Sequence, residues 1–450
     1  MSSPSPAADS AKPATPAHPT FREALGVWVK IGLLSFGGPS GQIALMHQEL
    51  VEKRRWISEG RFLHALNYCM LLPGPEAQQL SIYVGWLLHR TWGGIVAGTL
   101  FVLPGALLLW LVSYVYVVHG QLPWIEAVFY GLKAAVLGIV AFAVLRIGKK
   151  ALKSPALWTV AAAAFVGIFF LKLPFPLIVF SAGLLGLAGA RWRPDWFFSA
   201  AATSHGGSAH ASAITDTAAA PAHARPSLAQ GARTVALWGG LWAAPLVLIA
   251  ATLGVSHVLF AEGLFFSKAA VVTFGGAYAV LPYVAQQAVE THGWLSATQM
   301  VDGLGLAETT PGPLILVLQF VGFLGAWSAP EPFSPLVAAT LGAALTTWVT
   351  FVPGFLFIFL GAPYIEALRG SRVLSCALTA ITAAVVGVIL NLAVWFGWNV
   401  IAPAGGAFDV FAAVVAVAVF FALHRFKWDT LPVVIGCGLL GLAYRLIWPI

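Results

Sequence analysis

One pattern occurs twice in this chain, and it limits the folds open to the rest. The first copy reads Lys30-Ile-Gly-Leu-Leu-Ser-Phe36-Gly37-Gly38, then Trp56-Ile-Ser58, then Leu72-Pro73-Gly74-Pro75. The second reads Lys268-Ala-Ala-Val-Val-Thr-Phe274-Gly275-Gly276, then Trp294-Leu-Ser296, then Thr310-Pro311-Gly312-Pro313. A single offset of 238 relates Lys30 to Lys268, Phe36 to Phe274, Trp56 to Trp294 and Pro73 to Pro311. That period is far too long for a solenoid, so each copy is a domain-sized half of an internal duplication.

The solvent of the halves follows from composition. Hydrophobic residues make up 59% of the chain and charged residues 9%, where a soluble domain carries roughly 25% charged. Apolar runs such as Trp92 to Val118, Ala156 to Leu171 and Phe408 to Leu423 are near or above the roughly 17–25 residues that cross hydrocarbon. The expectation is an all-α polytopic membrane protein. The formal charge of +7 does not point to nucleic acid, because the basic residues sit at the ends of apolar runs, where cytoplasmic anchoring places them. Cys69, Cys376 and Cys437 stand singly inside apolar segments, without disulfide or zinc spacing, and read as small packing residues.

Met1 to Thr20 is rich in Pro, Ala and Ser, with no signal-peptide pattern, and reads as a disordered tail. The first repeat then runs over 21–190. It opens on Phe21 to Glu49, interrupted at Phe36-Gly37-Gly38-Pro39, and on Arg61 to Leu88, interrupted at Pro73-Gly74-Pro75. Paired glycines and prolines end ordinary helices, and Pro75 suits the first position of a new one. Better-formed spans follow at about Trp92–Val118 (kinked at Pro104-Gly105), Pro123–Leu145, Ala156–Leu171 and Pro174–Ala190. A linker over 191–232 is rich in Ala, Ser, Gly and His; the irregular spacing of His205, His210 and His223 favours a solvated segment over a metal site. The second repeat, 233–450, adds a span near Arg233–Val255, then broken stretches at Val258–Gln287 and Ala297–Trp327. Spans near Leu336–Leu360, Val373–Trp398, Phe408–Leu423 and Leu431–Trp448 complete it.

Charge orients the halves. The loop after the first break carries Lys53, Arg54, Arg55 and Arg61, whereas its counterpart, Ala288 to Met300, has no Lys or Arg. A later turn reverses the bias: Gly120 to Pro123 is uncharged, and its counterpart holds Arg369 and Arg372. By the positive-inside rule the halves form an inverted-topology repeat. If the broken stretches are re-entrant pairs of half-helices, Arg54, Arg90, Lys149, Arg191, Arg372 and Arg425 all fall in the cytoplasm; Arg445 is left unexplained.

Irregular backbone at membrane depth survives only where it is buried in protein or lines a wet cavity. Inverted repeats with discontinuous helices are how secondary transporters build a midplane site. Helices starting near Pro75 and Pro313 aim free N–H groups and partial positive charge at that site, and such ends attract anions. The expected substrate-binding set is Lys30, Gly37, Gly38, Ser40, Gln42, Pro73, Gly74, Pro75, Gln78, Lys268, Gly275, Gly276, Tyr278, Thr309, Thr310, Pro311, Gly312 and Pro313, with Gln79 as a further donor. Helix capping is the bland reading of each. Lys30 and Lys268 each precede a glycine pair by two turns, and a lysine at mid-membrane costs roughly 2.5–3.5 kcal/mol; they face an anion path or snorkel to the interface. Glu76 and Glu308, which are not repeat-equivalent, are candidates to carry a coupling proton, or in the case of Glu76 to complement a helix N-terminus.

The segments Phe36-Gly-Gly-Pro-Ser-Gly-Gln-Ile-Ala44, Leu72-Pro-Gly-Pro-Glu-Ala-Gln-Gln-Leu80, Tyr83-Val-Gly-Trp86, Phe274-Gly-Gly-Ala-Tyr-Ala-Val-Leu-Pro282 and Thr309-Thr-Pro-Gly-Pro313 resemble the motifs of the bacterial chromate ion transporters, in the long form with two homologous halves. The resemblance implies chromate efflux across the bacterial cytoplasmic (inner) membrane and chromate resistance. Sulfate or another tetrahedral oxyanion is the alternative substrate, and an anion channel the alternative mode. A homodimer is open. The chain has no P-loop for ATP, no nucleophile–base, metal or cofactor motif of an enzyme, and hence no expected cofactor. A proton gradient or the membrane potential is left as the driving force.

Overall fold

The computed structural model describes residues 17–197, 227–362, 372–403 and 406–448. Most of the expected tail, His205, His210 and His223 of the linker, and Arg369 lie outside them. Among the described residues the regular structure is helical, with no strand. The first half holds α1 (Phe21–Leu34), α2 (Gly38–His47), a π-helical turn (Gln48–Lys53), α3 (Glu59–Cys69), α4 (Glu76–His119), α5 (Pro123–Ala151), α6 (Pro155–Phe169), α7 (Phe175–Trp192) and a short α8 (Pro194–Phe197). After α9 (Leu228–Thr252) the second half repeats the plan. It has α10 (Val258–Val272), α11 (Ala277–Ala285), a π-helical turn (Gln286–Thr291), α12 (Ala297–Thr309), a 3₁₀ turn (Leu314–Leu316) running into α13 (Val317–Ser328), α14 (Pro335–Gly361), α15 (Arg372–Ile401), α16 (Val410–Arg425) and α17 (Thr430–Ile447). Seven of the described helices are long and apolar enough to cross a membrane. Large apolar side chains such as Leu107, Phe180, Val247 and Leu439 are exposed on outer faces, as a lipid solvent requires.

Each break folds the chain back on itself. Lys30 and Glu49 would stand about 28 Å apart on one straight helix, yet their side chains meet at 3.0 Å. Phe265 of α10 likewise meets His292 and Trp294 beyond α11, at 6.1 and 5.7 Å between ring centres. At the second break of the first half, Tyr68 and Tyr83 approach to 6.4 Å between ring centres. α4 is itself a hairpin, non-helical at His89 and Arg90. Gly85 lies against the Gly93 carbonyl, and Gly94 against that of Ile82; only small residues let two backbones come this close. The His89 ring meets the Pro19 carbonyl at 3.0 Å, which ties this turn to the start of α1.

The Trp-x-Ser landmarks have a local cause. Trp56 N–H bonds the Leu50 carbonyl and Trp294 N–H that of Ala288, both at 2.8 Å, closing the two π turns alike. Ser58 and Ser296 then cap α3 and α12, their hydroxyls accepting from the third residue onward.

The halves interlock through their later helices. The segment 91–119 of α4 and its equivalent α14 run antiparallel, with Gly94 beside Phe359, Gly98 beside Phe355 and Trp110 donating to Thr340 at 3.1 Å. The last two helices of each half pack on the other half. Gly186 of α7 abuts Cys376 and Ala377 of α15, and Gly387 of α15 abuts Ala161 of α6. Reciprocally, Gly441 of α17 abuts Ala127, and Gly138 abuts Ala416 of α16. All three cysteines are buried. Arg445 lies 4.6 Å from the Tyr130 ring, whose hydroxyl is 2.9 Å from both Asp409 carboxylate oxygens. Those partners account for a cation that loop-charge counting could not place.

Candidate functional site

The four breaks converge. Gly74 N–H bonds the Thr273 carbonyl at 2.7 Å, and Gly312 N–H bonds the Ser35 carbonyl at 2.8 Å. Donors and acceptors are related by the same offset of 238, so the Pro-Gly-Pro break of each half closes on the Gly-Gly break of the other. Ser35 and Thr273 follow the last residues of α1 and α10, where no helical N–H claims their carbonyls, and their hydroxyls turn back to Ile31 and Ala269. The geometry needs glycine: φ is +115° at Gly74 and +98° at Gly312, where an L side chain is strained.

Around this junction lies a cavity of about 10 Å³, lined by Pro39, Gln42, Pro75, Glu76, Ala77, Gly276, Ala277, Pro313, Leu314 and Ile315. These are the first residues of α2, α4, α11 and the 3₁₀–α13 segment, with Gln42 one turn further on. Four helix N-termini therefore surround one point, each with N–H groups that its own helix cannot satisfy. Gln42 Nε2 donates to the Gly312 carbonyl at 2.6 Å, while its Oε1 has no partner. Gln79 donates to the Pro73 carbonyl at 2.7 Å. Gln78 is fully buried beside Gly354 with neither side-chain polar atom bonded. Glu76 is the first helical residue of α4 and lines the cavity.

The other expected residues are placed as follows. Gly37, Gly38 and Gly275 shape the Gly-Gly breaks with positive φ. Tyr278 is buried next to the cavity lining and its hydroxyl donates to Glu308. Pro75 occupies the cap position, with α4 starting at Glu76. The Thr309 and Thr310 hydroxyls bond the Leu306 and Ala307 carbonyls of their own helix, so they close α12 and do not cap α13. Ser40 is exposed in an open groove of about 710 Å³, with His47, Gln48 and Glu52; α2 is the wall between groove and cavity. Neither lysine lines the cavity. Lys30 joins Lys53 and Arg54 around the buried Glu49, and Lys268 is exposed. Burial alone would raise the Glu49 carboxyl, but hydrogen bonds from Lys53, Lys30 and Arg54 outweigh it and hold the group at about 2.

Sequence reasoning passed over Glu262, Asp302 and Lys133. Glu262 is fully buried with both oxygens unbonded, and Asp302 pairs with Lys133. The available signal was a charge inside an apolar run, which is a functional pointer in a membrane protein.

The chromate transporter family model matches residues 22–187 and 260–442. The chain belongs to that family. A chromate transport protein of Cupriavidus metallidurans is 29% identical over 99% of this chain and all of its own length. One from Pseudomonas aeruginosa is 32% identical over 97% of this chain and 96% of its own. An uncharacterized transporter of Bacillus subtilis, YwrB, is 34% identical over 143 residues, which is 30% of this chain and 68% of that one. No solved structure matches. The family, the repeated match and the apolar helices make this a multi-pass membrane transporter.

Proposed function

We propose that this transporter exports chromate across the bacterial cytoplasmic membrane, lowers cytoplasmic chromate and so confers resistance, and that the oxyanion binds where the four half-helix N-termini meet. The observation that carries this reading is the reciprocal pair of bonds, Gly74 to Thr273 and Gly312 to Ser35, around a point lined by four helix starts. A tetrahedral dianion accepts hydrogen bonds in every direction, and converging N–H groups supply donors without side-chain charge. The cavity has room for about one water, so chromate enters only when the halves part at these bonds. The wide groove beyond α2 is the approach from the side bearing Lys53 and Arg54. Glu76 and the dianion compete for the same helix ends, so protonation of Glu76 favours substrate. Proton and dianion then cross together as a net negative charge, which the membrane potential drives outward, and a pH gradient with its acid side on the side of substrate entry adds to the drive. Glu308, held by Tyr278, is the second candidate carrier. The antiparallel course of 91–119 and α14 supports halves of inverted topology, with the site at their interface. Both full-length relatives are named as chromate transport proteins.

Everted membrane vesicles test the reading. Labelled chromate should accumulate saturably, with a pH gradient increasing the uptake, and sulfate should compete weakly. Uptake no higher than in vesicles lacking the protein would reject it. Uptake of sulfate in preference to chromate would reassign the substrate, and unsaturable flux would indicate a channel.

A further inference from the structure

A second polar centre sits away from the cavity, on α12. Asp302 is buried; its Oδ2 accepts a hydrogen bond of 2.8 Å from the Tyr116 hydroxyl on α4. Its Oδ1 faces Lys133 Nζ on α5 at 3.7 Å, an ion pair too long to be a hydrogen bond, and Oδ1 has no hydrogen-bond partner. The Tyr116 ring is clamped edge-on by Phe129 at 4.9 Å and Phe320 at 5.3 Å. α12 seats Asp302 closely because Gly303 lies against the Phe320 ring and Gly305 against Leu132 and Val136 of α5. Those α5 residues, like Lys133, are within about a turn and a half of the centre of a 29-residue apolar helix, so the pair is at mid-membrane depth.

A pair kept only for stability would be expected to close to hydrogen-bond distance, since buried charges repay their desolvation only with good geometry. This one is held open on one side and anchored by a phenol on the other. It also breaks the repeat: His64 stands at the first-half equivalent of Asp302. Lys133 answers to Thr382 by the offset of 249 that relates Pro104 to Pro353. The same helix that carries Asp302 ends at Thr309, where the chain turns into the Pro311-Gly312-Pro313 break.

We propose that Asp302, with Lys133 and Tyr116, is a proton-exchange site that couples a proton to the movement of α12, distinct from the oxyanion site. It rests on the transport reading given above. A proton from the aqueous phase forms an O–H bond at Oδ1, the carboxylate loses its charge, and the attraction to Lys133 is lost while Tyr116 still donates to Oδ2. α12 is then free of α5, and the Gly312–Ser35 closure at its end can open. Release of the proton to water on the other side restores the pair. The titratable or charged groups acting on Asp302 are Lys133 and Glu126 from α5 and Tyr116 from α4. The apposed ring of α13 is the apolar Phe320.

Purified full-length protein in proteoliposomes tests this through two assays: chromate accumulation under an imposed pH gradient, and chromate counterflow at equal pH, which moves no net proton. In Asp302→Asn, accumulation should fall about tenfold or more while counterflow stays within about twofold of the parent. Lys133→Met keeps the acid and removes its cation, so the pH midpoint of gradient-driven uptake should move upward. This readout also decides the matter if Asp302→Asn does not reach the membrane. Parental accumulation in Asp302→Asn, a parental midpoint in Lys133→Met, or a parent protein with counterflow but no response to a pH gradient would each overturn the proposal. Absence of chromate counterflow in the parent would instead reject the substrate reading, and this proposal with it.

Discussion

The two π-helical turns have one backbone and two chemistries. Gln48–Lys53 and Gln286–Thr291 start 238 residues apart and close with the same tryptophan bond. In the first, Glu49 gathers Lys30, Lys53 and Arg54, and Arg54 lies over Trp56. In the second, the equivalents are Gln287, Lys268, Thr291 and His292, and His292 stacks flat on Trp294 at 4.4 Å. Backbone geometry is thus kept where the halves meet, while charge differs between the two turns. The breaks carry the symmetry, and the π turns carry the difference in charge.

The symmetric part should be the most sensitive. Gly74→Leu and Gly312→Leu should reduce chromate transport alike, each on the order of 100-fold, because positive φ strain of about 1–3 kcal/mol adds to a displaced inter-half bond. A Cβ at either position meets a side-chain atom at 3.0 Å. Vesicle uptake at matched protein levels measures this, and a large difference between the two variants would break the equivalence of the halves.

The asymmetric part should appear as stability. Glu49→Gln leaves three cations facing one another and should cost about 1–3 kcal/mol, read as a lower Tm in detergent. Gln287→Glu in the second half should change stability by no more than about 0.5 kcal/mol, because only one lysine stands where the first half has three cations. The pH dependence sharpens the contrast. Glu49 falls from 4.5 to about 2 on folding, so the folded state binds its proton more weakly than the unfolded chain. Its contribution is complete above 4.5 and drains away as pH falls toward 2. The Tm gap between the parent and Glu49→Gln should be full at neutral pH and close over that acid window. Smallest of all, Lys268→Met should leave uptake within about twofold, since its side chain is exposed and lies outside the cavity lining.

The breaks were legible because Gly and Pro act locally: Phe36-Gly37-Gly38 and Pro73-Gly74-Pro75 interrupt any helix regardless of their neighbours. The Trp-x-Ser landmarks were visible only as part of the repeat; the closure of the π turns and the capping of α3 and α12 became clear in the structure. Their meeting was not legible, since Gly74 and Thr273 join through backbone atoms that leave no side-chain signature. The two-turn spacing of Lys30 from Gly37 could be read from the sequence, but it does not reveal that Glu49 stands opposite the lysine. Thr309 and Thr310 had two helices to choose from and bonded the preceding one. Lys133 and Asp302 were hidden by the apolar residues averaged around them. α5 runs on past Leu145 through Arg146, Lys149 and Lys150, because a helix may leave the membrane without ending.

Side-specific labelling of single cysteines at Lys53→Cys and Thr291→Cys, in a chain lacking its three native cysteines, tests whether the two π turns face opposite sides of the membrane. Both positions are exposed and differ by the repeat offset. Inverted halves joined at the breaks predict that position 53 reacts only from the cytoplasm and position 291 only from outside. Labelling of both from one side would contradict the inverted arrangement and the shared site built on it.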